Sequence, residues 1–66
     1  MTHGTPGLLE KNGHLYALYA GPWRNERGRF DHFKPHDVIE SLFAESLIDT
    51  TDQPTVHNGA VYLLYK

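Results

Sequence analysis

The sequence predicts a small α+β domain: an antiparallel sheet of hairpins, three to five short strands, with one amphipathic helix packed on one face. Three observations carry this. Residues 35–48 (PHDVIESLFAESLI) are the only stretch with a helical period. Two Asn-Gly pairs, Asn12-Gly13 and Asn58-Gly59, stand between short apolar runs rich in tyrosine, the strongest short-range hairpin signal. The chain has 66 residues and no cysteine, so it forms one domain (1–66) around one core, without disulfides or thiolate metal sites.

Taken in order, residues 1–7 (MTHGTPG) read as a flexible polar arm without the basic and apolar regions of a signal peptide. Leu8 to Lys11 and His14 to Ala20 are strands flanking the first Asn-Gly. A two-residue loop there sets Lys11 opposite His14, Glu10 opposite Leu15 and Leu9 opposite Tyr16. Gly21-Pro22 ends the second strand. Trp23 to Gly28 is a polar loop, and Arg29 to Phe33 a candidate short strand.

In the helix, Val38, Ile39, Leu42, Phe43 and Leu47 form the apolar stripe, opposite Glu40, Ser41, Glu45 and Ser46. Pro35 suits the first turn, and Asp37 with Glu40 has the spacing of a capping box. Asp49 to Pro54 connects to the strands Thr55 to His57 and Ala60 to Tyr65. The stretch 12–19 (NGHLYALY) matches 58–65 (NGAVYLLY) at five of eight positions. A repeated hairpin and a recipe used twice by chance give the same architecture.

Val38 to Leu64 also resembles the last helix and wing of a winged-helix domain, over less than half of the chain. The two helices that precede such a recognition helix are replaced here by a hairpin, and an acidic recognition helix would be repelled by DNA. The sheet-and-helix reading stands.

Composition bounds the function. The chain is 39% hydrophobic and 21% charged, as globular domains are, and no run reaches the ~18 apolar residues of a membrane span. A cytoplasmic protein with no membrane partner is the expectation. Catalysis finds no support: Ser41 and Ser46 lie mid-helix without a strained turn, and no Gly-rich phosphate loop precedes the helix. No catalytic residue and no cofactor are assigned. His32 and His36 have an i, i+4 spacing, but Pro35 between them keeps them off a common helix face, so no metal site is assigned either.

Two surfaces remain as partner candidates. Trp23, Arg24, Arg27, Arg29, Phe30 and Lys34 mix guanidinium groups, which pair with phosphates, and aromatic faces, on which bases stack. The acidic helix face carries Glu40, Glu45 and Asp49. Net charge is −2, which weighs against nucleic acid. The leading expectation is therefore a non-enzymatic binding or regulatory module acting through protein contacts. Nucleic-acid binding through segment 23–34 is the alternative. The strands do not alternate apolar with polar, and one helix covers one sheet face, so either the segment Trp23 to Phe33 folds back over the other or a second subunit does. The many charges of that segment make it a poor cover, and a homodimer is the expectation. Its centre would hold two tyrosines, Tyr16 or Tyr19 with Tyr62 or Tyr65.

Overall fold

The computed structural model describes residues 7–65. Four strands, β1 (Leu8–Lys11), β2 (His14–Ala20), β3 (Thr55–His57) and β4 (Ala60–Leu64), form one antiparallel sheet in the order β1-β2-β4-β3. The helix α1 (Lys34–Ala44) and a short 3-10 turn (Thr50–Asp52) connect β2 to β3. The fold is the α+β sheet-and-helix arrangement read from the sequence. Six residues of the expected arm, 1–6, lie outside the described residues. Gly7 belongs to the ladder, since its carbonyl accepts from the Leu18 N–H at 2.6 Å.

Both hairpins close as the Asn-Gly pairs require. Asn12 and Asn58 take φ of 53° and 48°, and Gly13 and Gly59 take 80° and 76°, the left-handed pair of a type I′ turn. The register Lys11↔His14, Glu10↔Leu15, Leu9↔Tyr16 is as expected. The central pairing relates the two similar stretches. Tyr16 faces Leu64 and Leu18 faces Tyr62, while Ala17 faces Leu63. In the alignment of 12–19 with 58–65, Tyr16 corresponds to Tyr62, Leu18 to Leu64 and Ala17 to Leu63. The hairpins are thus related by a local two-fold through Ala17 and Leu63. A bulge at Tyr19 breaks the symmetry: beyond it Ala20 pairs with Val61.

β2 and β3 are both antiparallel to β4 and therefore parallel to each other, so β2–α1–β3 is a crossover connection with β4 between. Such connections are right-handed. This sets α1 over the sheet face carrying Ala17, Val61 and Leu63, and the helix lies against β4. Val61 is completely buried beneath it.

Only part of the expected stripe faces inward. Leu42 is buried and Val38 and Ile39 half-buried, but Phe43 is 38% and Leu47 63% exposed. The cause is where the helix stops. Ser46 takes φ of 58°, the Ser46 N–H bonds to the Phe43 carbonyl and the Leu47 N–H to the Leu42 carbonyl. That is a Schellman ending, and it changes the phase of the chain, so Ile48 turns inward in place of Leu47. The helix therefore ends four residues short of the sequence reading, at Ala44.

The start also differs. No side chain caps the N-cap, Phe33, and the Asp37–Glu40 box does not form. Asp31 instead accepts from the Phe33 and Lys34 N–H groups at 2.7 and 3.1 Å. A capping box does exist one element later, where Asp49 accepts from the Thr51 N–H and Asp52 from the Asp49 N–H. The same two-carboxylate device is used, at a helix start that periodicity could not reveal.

The sheet is strongly curled away from α1. Lys11 Nζ, on one edge strand, donates to Thr55 Oγ1 on the other at 3.0 Å. In a flat sheet those strands would lie about 14 Å apart. On the same concave face Tyr16 is 7% exposed, and its hydroxyl donates to Gln53 Oε1 at 3.1 Å. The molecule measures 38 × 34 × 16 Å, two thin layers.

Candidate binding surfaces

The segment between β2 and α1 is a folded arm. The Trp23 N–H donates to the Gly59 carbonyl at 2.8 Å, and the Trp23 carbonyl accepts from the Asp31 N–H at 2.9 Å. Between them Arg24 and Phe30 form a single antiparallel bridge, which is all that exists of the strand expected at 29–33. Asn25 makes the turn: its Oδ1 accepts from the Arg27 and Arg29 N–H groups at 2.8 and 3.1 Å.

This arm sorts the six residues of the basic-aromatic stretch. Arg24 is committed internally, with one guanidinium N–H donating to the Gly28 carbonyl at 2.7 Å and its carbon 4.2 Å from the centre of the Phe30 ring. Phe30 packs on Gly59, and Trp23 is half-buried beside it. Arg27 and Arg29 at the tip, and Lys34 at the helix start, are exposed. The stretch is thus divided between three residues that hold the arm against the β3–β4 turn and three cations that face solvent.

Of the acidic set, Glu40 and Glu45 are exposed, whereas Asp49 caps the 3-10 turn. The four tyrosines are also divided. Tyr16 and Tyr62 lie on the concave face, where Tyr16 is buried and the Tyr62 ring meets the His57 ring edge-on at 6.2 Å. Tyr65 lies on the helix-bearing face, where its N–H bonds to the Leu15 carbonyl. Tyr19 is the bulged residue. Tyr19 and Tyr65 are 50% and 60% exposed, with Leu8 at 38% and Leu15 at 39% on the same face as Tyr65.

Sequence reasoning missed one feature. A cavity of about 280 Å³ opens on the concave face between Leu9 and Leu18 on one side and His57 and Tyr62 on the other, with Pro22 and Phe30 of the arm at its end. The curl that makes the face concave has no local signal.

Among the described residues, no three His, Cys, Asp or Glu side chains gather as a metal ion would need. His32 precedes α1 and His36 lies in its first turn, both exposed. No helix is long and apolar enough to cross a membrane. In comparisons with family models, curated proteins and solved structures, the chain matches none significantly.

Folding shifts the titration of Asp31. The Phe33 N–H first, then the Lys34 N–H, hold its carboxyl below the ordinary aspartate value, aided by the charges of His32 and Lys34. A carboxyl whose pKa is lowered by folding stabilises above its unfolded value and loses that contribution as pH falls through the folded value. Asp31→Asn should therefore flatten the acid side of the stability profile, from about pH 4 downward, with little change in its slope near neutrality. Urea midpoints measured across that range check this; an acid limb as steep in the variant as in the parent refutes it.

Proposed function

We propose that the protein is a non-enzymatic binding module that acts through protein contacts as a homodimer. The observation that supports this is the apolar surface left on the helix-bearing face beyond the reach of α1. Leu8, Leu15 and Tyr65 are each between 38% and 60% exposed there, and Tyr19 at the bulge is 50% exposed. α1 has 11 residues, about 16 Å of helix, and it sits over β4. Among the described residues nothing covers the β1–β2 half of the face, and exposed apolar surface of this kind marks interfaces. The side that a second copy would bury is thus the uncovered half of the helix-bearing face, with the Tyr19–Tyr65 pair rather than Tyr16, which is already buried.

Light scattering on a size-exclusion column tests this. The expected mass at tens of micromolar, about the concentration at which a modest interface holds, is twice the 7.5 kDa of one chain. Leu15→Glu with Tyr65→Ser should return it to one chain while leaving the circular dichroism unchanged. A parent protein that elutes at the mass of a single chain sinks the proposal.

Nucleic-acid binding is the second reading, and the exposure of Arg27, Arg29 and Lys34 favours it. Arg24 is not part of this reading, since its guanidinium is engaged by Phe30 and Gly28. A retardation assay at low and moderate salt decides. Binding that weakens with salt and disappears in Arg27→Glu/Arg29→Glu supports it; no shift on DNA or RNA at low salt removes it.

A further inference from the structure

The two Asn-Gly turns are alike in sequence and in backbone angles, and they occupy equivalent positions about the local two-fold. Their surroundings are not alike. Around Gly13 an added Cβ would meet nothing within 4 Å, and both Asn12 and Gly13 are exposed. Gly59 is buried, its carbonyl accepts from the Trp23 N–H at 2.8 Å, and the Phe30 ring lies against it.

We infer that Asn12 is a site of spontaneous covalent modification, conversion to aspartate and isoaspartate, and that the arm protects Asn58 from the same reaction. The peptide nitrogen of the following glycine gives up its proton to solvent and bonds to the asparagine Cγ. The Cγ–Nδ2 bond breaks and ammonia leaves. The five-membered imide then takes up one water. Opening on one side yields aspartate, and on the other isoaspartate, with the main chain rerouted through Cβ.

Attack requires the asparagine to rotate about ψ, so the turn must leave its left-handed geometry. At Gly13 that motion swings the 12–13 peptide into open solvent. At Gly59 it must break the Trp23–Gly59 hydrogen bond and displace Phe30. The reaction at Asn58 therefore waits on a local opening of the arm. The product at residue 12 adds one negative charge between Lys11 and His14. In the isoaspartate form it also lengthens a turn whose two-residue length sets the β1–β2 register.

The test is peptide mapping by mass spectrometry of the full chain held in mildly alkaline buffer, native and in concentrated urea, with Asn12→Asp as the chromatographic standard. In the native protein Asn12 should convert at least about tenfold faster than Asn58, the ratio that about 1.4 kcal/mol of opening free energy produces. In urea the two rates should converge. Native rates that are equal, or faster at Asn58, overturn the inference. So does a ratio that persists in urea, because the difference would then belong to the neighbouring residues and not to the fold.

Discussion

Alanine in place of Gly59 is expected to cost the fold about 3 kcal/mol, and alanine in place of Gly13 only about 1 kcal/mol. Both glycines take φ near +80°, so both substitutions carry the left-handed penalty. Only at Gly59 does the new Cβ also collide, 2.5 Å from the Trp23 carbonyl oxygen and 3.2 Å from the Phe30 ring. The oxygen is backbone and already accepts from the Asp31 N–H within the arm, while the Trp23 N–H ties the same residue to Gly59, so it cannot rotate aside. A domain this small has roughly 3–5 kcal/mol of stability in total, so Gly59→Ala should keep only about 0–2 kcal/mol and be partly unfolded at room temperature. Urea titrations followed by Trp23 fluorescence and by far-ultraviolet circular dichroism measure both variants. Equal losses at the two glycines would show that the arm does not press on the second turn as described.

The second large effect is expected at Leu42. It is 6% exposed, the most deeply buried large side chain that α1 contributes beside Pro35. Leu42→Ala removes buried apolar volume from the inner side of the helix and leaves a cavity, at a cost of about 2–5 kcal/mol. Leu47→Ala, on the stripe that helical spacing draws through both residues, should cost under about 1 kcal/mol, since Leu47 is 63% exposed beyond the Schellman ending. The comparison is made by urea midpoints on the two variants. A loss at Leu47 matching that at Leu42 would mean that the helix continues through 47 in solution.

The two proposed surfaces, the exposed apolar residues of the helix-bearing face and the cations at the arm's tip, differ in how far the sequence exposed them. Arg27, Arg29 and Lys34 stood out by charge alone. The division of the tyrosines did not, because a tyrosine in a strand reads the same whether its ring lies on the concave or the helix-bearing face. Counting along the strands separates Tyr16 from Tyr19 and Tyr62 from Tyr65, but does not say which tyrosine of one strand shares a face with which of the other. Which pair would be left open depended on where α1 lies and how the sheet bends.

What the sequence by itself determined is local. Each Asn-Gly dictates a left-handed two-residue turn, the turn dictates the Lys11↔His14 register, and the single helical period supplies the one helix. These follow from backbone sterics within a few residues, and so does the α+β class that they add up to. The rest was decided by short-range bonds that periodicity does not show, at the two ends of α1, and by contacts between distant segments. The start of α1 moved because Asp31 reaches the Phe33 and Lys34 N–H groups before the Asp37–Glu40 pair can act. Its end moved because Ser46 accepts a left-handed conformation once Leu42 is anchored on the sheet. The curl, the cavity, and the arm that covers Gly59 but leaves Gly13 open depend on contacts between residues far apart in the chain, such as Lys11 with Thr55 and Trp23 with Gly59. Such contacts form only when the free energy of joining distant segments exceeds the entropy of closing the loop between them, and no window of local sequence carries that balance.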